Sequence, residues 1–301
     1  MTPLHIADAR VRELLSYDEL IPAMERALAD YSAGRVVQPV RTTIPVAEHG
    51  GFLFVMPAYA PGAGAMGAKL VSYYPANLGI ETHFATIQLF KAESGEPLAT
   101  MDGSLITEMR TAAVSAVATG ALANKDAGVL AILGAGVQAR SHLAALRLVR
   151  SFREVRVWSP NTAGAFARDH GVIAAASAEA CVRGADVIVV ATTSAAPVLS
   201  SDWVSDGAHV NSVGAAQPQW RELDDAFVQR ARVFVDSRAG AEIESGDVRA
   251  AGRIDAEIGE VVLGTHSGRQ GRDEVTWFKS LGMAVEDIVA AGLVLRAMGR
   301  A

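Results

Sequence analysis

The sequence predicts an α/β protein, a doubly wound parallel sheet joined to a smaller α+β domain. Three observations carry this. Past residue 125, short near-continuous apolar runs alternate with glycine turns and helical patterns, as a sheet covered on both faces requires. Between residues 36 and 98, runs rich in Val, Ile, Phe and Tyr are broken by Pro, Gly and Asn, the pattern of an antiparallel sheet. The length of 301 residues exceeds one ordinary domain and falls short of three.

At the start of the chain, Leu14, Leu15, Leu20, Ile21, Met24, Ala27, Leu28 and Tyr31 recur at helical spacing with a break near Ser16-Tyr17-Asp18, which predicts two short helices. Strand-like runs follow at 51–57, 67–75 and 84–90, and Gly95 marks a turn. Thr107 is expected to cap a helix reaching about Ala123. Parallel strands are expected at 129–133, 155–158, 187–191, 209–213 and 233–236, with a helix over 138–149. A last helical pattern, 283–298, follows Gly282 and is expected to return to the first domain. The domains are then 1–116 with 283–301, and 117–282.

A net charge of -6 argues against nucleic acid or an anionic membrane as partner, because either needs a basic face. The single cysteine, Cys181, excludes an internal disulfide and a cysteine metal cluster; no metal site is expected, and Cys181 is read as a buried filler. Residues 1–10 lack the basic start and apolar run of a secretory signal, and the most apolar stretch, 111–137, is broken by Asn124-Lys125-Asp126. A soluble cytoplasmic protein is expected.

Gly134-Ala135-Gly136-Val137-Gln138-Ala139 lies between a predicted strand and a predicted helix, the context in which a glycine motif carries meaning. The first glycine permits the tight turn, the second lets a pyrophosphate approach the backbone, and Ala139 permits close helix packing. Backbone N–H groups and the helix dipole then face the phosphates. This is the dinucleotide turn of a Rossmann-type unit. The second strand ends in Ser159-Pro160-Asn161-Thr162, without the carboxylate that would bind a ribose 2′-OH and repel a 2′-phosphate. Ser159, Asn161 and Thr162 can donate to such a phosphate, so NADPH is preferred over NADH, although no Arg accompanies them.

Lys and Arg are sparse over 36–110, where Arg41, Lys69, Lys91 and Arg110 are the four present. Lys69 is embedded in an apolar run. Arg110 is expected in the first turn of an Ala-rich helix, where the dipole opposes a cation and a neighbouring anion would explain it. Arg41, Lys69 and Arg110 together suit a carboxylate clamp. Each taken alone is equally well read as a solvated or structurally paired charge.

Arg41 with Pro45, Lys69-Leu70-Val71, Met101-Asp102-Gly103, Arg110-Thr111-Ala112-Ala113, the Gly134 turn and Phe278-Lys279-Ser280-Leu281-Gly282 through Asp287 occur in one order. With them the sequence resembles the ornithine cyclodeaminase/mu-crystallin family over essentially the whole chain. The stretches 213–225 and 244–247 resemble the mu-crystallin branch most. The resemblance implies a homodimer whose first domain builds the substrate site and the dimer interface, and a Rossmann second domain. It implies that Arg41, Lys69 and Arg110 hold a substrate carboxylate near the nicotinamide, that Thr86, Thr111, Ser212 and Ser280 lie near cofactor or substrate, and that His83 stands at the mouth of the site.

Two departures bear on activity. Ala216 stands where ornithine cyclodeaminases carry an Asp, and 52–57 lacks their Glu before the Met-Pro pair. Cyclodeamination is therefore disfavoured. The remaining parts are a hydride donor, the clamp and an apolar wall of Phe52, Phe54, Met56 and Tyr73. They suit reduction of a cyclic imine acid, 1-pyrroline-2-carboxylate or 1-piperideine-2-carboxylate, whose protonated C=N accepts hydride without a dedicated strong acid. Lys69 or His83 is the candidate to manage the proton. An alanine-type dehydrogenase and a non-catalytic NADPH-dependent small-ligand binder are the alternatives.

Overall fold

The structure, a computed structural model, describes residues 4–300. Its first part runs β1 (Leu4–Ile6), α1 (Asp8–Leu14), α2 (Tyr17–Ser32), β2 (Thr42–Val46), β3 (Gly51–Ala60), β4 (Ala65–Tyr73), β5 (His83–Phe90), β6 (Pro97–Asp102) and α3 (Ser104–Leu122). The middle runs β7 (Val129–Leu133), α4 (Val137–Val149), β8 (Glu154–Trp158), α5 (Ala163–His170), β9 (Ile173–Ala174), α6 (Ala178–Val182), β10 (Val187–Val190), β11 (His209–Ser212) and α7 (Asp225–Arg230). The last part runs β12 (Arg232–Val235), α8 (Arg238–Glu244), α9 (Gly246–Ala251), β13 (Ala256–Glu257), α10 (Ile258–Val262), β14 (Thr276–Lys279) and α11 (Ala284–Ala297). Two compact units result, residues 1–110 with 282–301, and residues 111–281. The sequence patterns set the first cut at 116/117; it falls within α3, so the neighbours Arg110 and Thr111 belong to different units.

The first unit is built on a six-stranded sheet of order β1-β6-β5-β4-β3-β2, antiparallel except for the β1–β6 pair. Side chains alternate across it. Met56, Lys69 and Ile87 stand opposite one another on three neighbouring strands and so share a face. Helix α11 packs on this sheet against β3, β4 and β5 and also meets α2. Its sequence is apolar on nearly every side, which suits a helix buried all round. Its first turn is capped from a distance, the Val285 N–H donating to Gln38 Oε1 at 2.7 Å. On the other face of the sheet, Ile44, Leu70 and Phe84 are exposed at 45, 46 and 49 %.

Thr107 does not cap α3. The helix starts at Ser104, and the Thr107 hydroxyl donates back to the Gly103 carbonyl at 2.7 Å. The Leu105 N–H is met instead by Asp8 Oδ1 at 3.4 Å, a partner nearly a hundred residues earlier that no local pattern reveals. With this start Arg110 lies in the second turn, past the strongest part of the dipole, and not in the first.

The second unit carries eight strands, all parallel, in the order β13-β12-β14-β11-β10-β7-β8-β9. Chain order reverses between β7 and β10, the switch point beside which α/β sheets bind ligands at their carboxyl ends. The five expected strands form, with ends shifted by a residue or so, and β14 inserts between β11 and β12, where sequence analysis placed nothing. Cys181 is buried in this core, and burial pushes its thiol up to about 11, which leaves it inert at neutral pH. Among the described residues, no helix is long and apolar enough to cross a membrane.

Candidate active site

In the first unit, Arg41, Lys69 and Arg110 converge on the segment that opens α11. Lys69 is 1 % exposed, and its Nζ lies 2.6 Å from Asp287 Oδ2 and 3.4 Å from Thr107 Oγ1. Arg110, 5 % exposed, donates from Nε to Asp287 Oδ1 at 3.0 Å and from Nη1 to Glu286 Oε2 at 2.8 Å. Arg41 donates from Nη2 to the Gly282 carbonyl at 2.8 Å. Gly282 has φ +80°, and a Cβ there would stand 2.4 Å from Arg110 Nη1, so a side chain at 282 would displace the guanidinium. Arg110 thus has two carboxylate partners within the protein.

These contacts tune the charges. Burial pushes the Lys69 ammonium down to about 8; Asp287 opposes that fall, while Arg110 and Arg41 add to it. For Asp287, burial would raise the carboxyl, yet Arg110 and Lys69 together outweigh it and hold the group below the ordinary carboxylate value. Three cations and two carboxylates thus meet at the opening of α11.

Beside the cations runs an aromatic row on the same face of the sheet. The Arg41 guanidinium lies 5.9 Å from the Phe54 centroid, Phe54 stacks on Phe52 at 6.0 Å, Phe52 on Tyr73 at 6.5 Å, and Tyr73 on His83 at 4.2 Å. Met56, 3 % exposed, backs this wall and adds little surface to it. His83 ends the row. Burial, then the charge of Lys69, hold its pKa below the usual value, so the ring is neutral at pH 7. Thr86 is not brought to the cations: it pairs with Leu70 and Asp102 and so faces the opposite side, where it lines a pocket of about 450 Å³ with Leu53, Phe84 and Asp102.

In the second unit the glycine turn closes β7 at the switch point. Gly134 has φ +111°, its N–H donates to the Trp158 carbonyl at 2.8 Å, and a Cβ would stand 2.2 Å from the Ala191 carbonyl oxygen. Gly136, the N-cap of α4, is open: a Cβ would meet nothing within 4 Å. Ala139 is fully buried, as the close packing of α4 requires. Ala135 is half-buried and Val137 57 % exposed at the turn, and Gln138 Oε1 is a buried acceptor with no hydrogen-bond partner in the protein. Open backbone, the free end of a thirteen-residue helix and an orphaned acceptor fit a dinucleotide. At the end of β8, Ser159 Oγ lies 2.7 Å from Thr162 Oγ1 and accepts the Thr162 N–H at 3.1 Å, while Asn161 is exposed.

The other expected residues are buried. Ser212 and Ser280 adjoin at the carboxyl edge of the sheet, the Ser280 N–H donating to the Ser212 carbonyl at 3.1 Å. Their hydroxyls are engaged by Trp277 Nε1 at 2.8 Å and Asp236 Oδ2 at 3.3 Å. Thr111, 8 % exposed, lies on α3. The loop that carries Ala216 is fixed by Lys279 Nζ, which donates to the Gly214 carbonyl at 2.6 Å. Behind it sits Glu222, a carboxyl that sequence analysis missed, fully buried and pushed up to about 7 chiefly by that burial. Glu286 and Asp287 were missed too. Their signal was two adjacent acids in an otherwise apolar helix, a pattern that demands cations opposite.

A sheet wound in this order with such a turn defines a dinucleotide-binding enzyme of the Rossmann class. The sequence pattern of the Ornithine cyclodeaminase/mu-crystallin family matches residues 3–299, and the chain belongs to that family. It is 48 % identical over 291 residues to the ketimine reductase mu-crystallin of Mus musculus, spanning 93 % of this chain and 92 % of that one. The structure of Thermococcus litoralis Delta(1)-pyrroline-2-carboxylate reductase in complex with NADH and L-proline matches with a TM-score of 0.93 at 38 % identity, covering 98 % of this chain and 97 % of the other. An archaeal alanine dehydrogenase dimer with bound NAD matches with a TM-score of 0.93 at 33 % identity, covering 99 % and 96 %. The chain is an NAD(P)H-dependent oxidoreductase acting on C=N/CH–NH bonds.

Proposed function

We propose that the chain reduces cyclic ketimine carboxylates, 1-pyrroline-2-carboxylate and 1-piperideine-2-carboxylate, to L-proline and L-pipecolate. The observation that carries this reading is the convergence of Arg41, Lys69 and Arg110 in the first unit beside an aromatic row on the same face of its sheet. Guanidinium groups suit a carboxylate, and a flat ring suits the row. Arg41 and Arg110 hold the carboxylate, Phe52 and Phe54 receive the ring, and Lys69 keeps an ammonium proton at neutral pH within reach of the imine nitrogen. His83, neutral, borders the ring without competing for the carboxylate.

Gly134, Ala135, Gly136, Val137 and Gln138 would hold the dinucleotide, which supplies the hydride. Ser159, Asn161 and Thr162 are proposed to take a 2′-phosphate, making NADPH the preferred donor. Replacing Ser159 by Asp puts a carboxylate there and is expected to shift the kcat/KM ratio toward NADH; an unmoved ratio removes this strand end from cofactor choice.

The test of function is NADPH oxidation at slightly acidic pH with each cyclic imine, and with pyruvate plus ammonium in parallel. Turnover of an imine is expected. Activity with pyruvate alone would select an alanine-type dehydrogenase, and silence with all three would leave a ligand-binding role.

We also propose a homodimer in which a second copy covers the outer face of the six-stranded sheet. The supporting observations are the exposed Ile44, Leu70 and Phe84 and the dimeric state of the archaeal relative. Ile44→Asp is expected to yield monomers in analytical ultracentrifugation; an unchanged dimer moves the interface elsewhere.

A further inference from the structure

We propose that Asp287, assisted by Glu286, is the positioning carboxylate of the substrate clamp: it fixes where the Lys69 ammonium and the Arg110 guanidinium stand and keeps the proton on Lys69. This rests on reading Lys69 and Arg110 as the groups that meet the substrate carboxylate and imine.

The geometry is specific. One carboxylate, fully buried, bridges two cations from different elements, Lys69 on β4 at 2.6 Å and Arg110 on α3 at 3.0 Å, through its two oxygens. Glu286 takes a second guanidinium nitrogen at 2.8 Å, so Arg110 is held from two directions and its planar group cannot turn. Gly282, four residues before Glu286, completes the arrangement: its carbonyl takes Arg41, and its missing side chain leaves room for Arg110. The six residues Gly282 to Asp287 thus order all three cations.

A purely structural tie between α11 and the sheet would not need this. The rest of the helix packs with apolar side chains, and burying two carboxylates against two cations is commonly no more stabilising than apolar packing of the same volume. What the carboxylates add is control of a proton. Facing Lys69 are Asp287 from α11, Arg110 and Thr107 from α3, Arg41 from the segment before β2, and His83 from β5, while Glu286 meets Arg110. Burial and both arginines drive the proton off Lys69, and Asp287 favours it. Thr107 cannot direct its hydroxyl proton at Lys69 while it donates to Gly103; its lone pairs face the ammonium and orient it.

The test compares Asp287→Asn, which removes the charge and keeps the shape, with Asp287→Glu, which keeps the charge. The chain contains only four lysines, Lys69, Lys91, Lys125 and Lys279, so the Lys69 titration can be read by NMR of the full chain carrying ¹³Cε-lysine, with Lys69→Arg assigning the signal. In the wild type Lys69 should titrate near 8. In Asp287→Asn the midpoint should fall by about one to three pH units, the loss of a close opposite charge. kcat/KM for the cyclic imine at neutral pH should fall about 100-fold through misplacement of the clamp. NADH affinity should stay as in the wild type, and Asp287→Glu should return the midpoint toward it. A midpoint and a kcat/KM unmoved in Asp287→Asn would overturn the proposal. Should that variant not fold, Asp287→Glu alone decides: the lengthened arm should lower kcat with unaltered NADH binding, and wild-type kcat would overturn the proposal. A wild type inactive on every imine, with the Lys69 midpoint still moved by Asp287→Asn, would reject the substrate and leave the positioning of Lys69 intact.

Discussion

Replacing Arg110 by alanine is expected to destabilise the chain by about 3–5 kcal/mol, because it leaves Glu286 and Asp287 buried with their shared cation gone. Lys69 still faces Asp287, so Lys69→Ala, which leaves Arg110 on both carboxylates, should cost less. The urea midpoint measures both. In the wild type, cations hold Asp287 below the ordinary carboxylate value, so its contribution is present above the unfolded pKa near 4 and is lost as pH falls through the lower folded value. Without Arg110, burial prevails and lifts the carboxyl, so protonation in the acid range relieves the buried charge. The stability gap between variant and wild type should therefore narrow as pH falls. Adding Glu286→Gln to Arg110→Met removes the carboxylate that loses its cation and leaves Asp287 paired with Lys69, so it should restore much of the stability lost in Arg110→Ala. A double variant that stayed as unstable as Arg110→Ala would show that the charges are not what the loss reports.

The difference between what was legible and what was not follows from the range of the interactions. The turn at Gly134 was readable because its parts are contiguous: a buried strand, a glycine at positive φ and a helix start within ten residues. Lys69 and Arg110 were readable as misfits, charges in apolar text. Their partners were not, since Asp287 lies 177 residues beyond Arg110 and only tertiary packing brings α11 to the sheet. The face of Thr86 was likewise hidden. Opposition of Ile87 to Lys69 depends on the register of β4 on β5 across a long connection, and a shift of one residue would have turned Thr86 inward. Strand β14 is a four-residue run in which only Trp277 and Phe278 are apolar, and its neighbours in space, β11 and β12, come from earlier in the chain. Neither the acceptor for Leu105 N–H nor the strand β1 that joins β6 can be inferred from local residues for the same reason.

Gly134→Ala and Gly136→Ala should separate folding from cofactor binding at the same turn. At Gly134 the new methyl group would meet the Ala191 carbonyl oxygen at 2.2 Å, with φ at +111°. Neither side can give way freely: the Ala191 N–H is bound to the Leu133 carbonyl at 2.8 Å, and the Gly134 N–H to the Trp158 carbonyl at 2.8 Å, so movement breaks the ladder on both sides of β7. Backbone strain of this kind costs about 1–3 kcal/mol, with the close contact in addition, and the pyrophosphate turn shifts with it. Gly134→Ala should thus lower the thermal midpoint without cofactor and abolish measurable NADH binding. At Gly136, φ is -94° and a methyl group meets nothing within 4 Å, so alanine there is free of strain. It projects instead into the space above the α4 amides. Gly136→Ala should therefore keep the wild-type midpoint while NADH affinity, read by fluorescence titration, falls about 100-fold, equivalent to about 2.8 kcal/mol. Wild-type affinity in Gly136→Ala would mean that the phosphates do not approach this backbone, and the reading of the turn would fall with it.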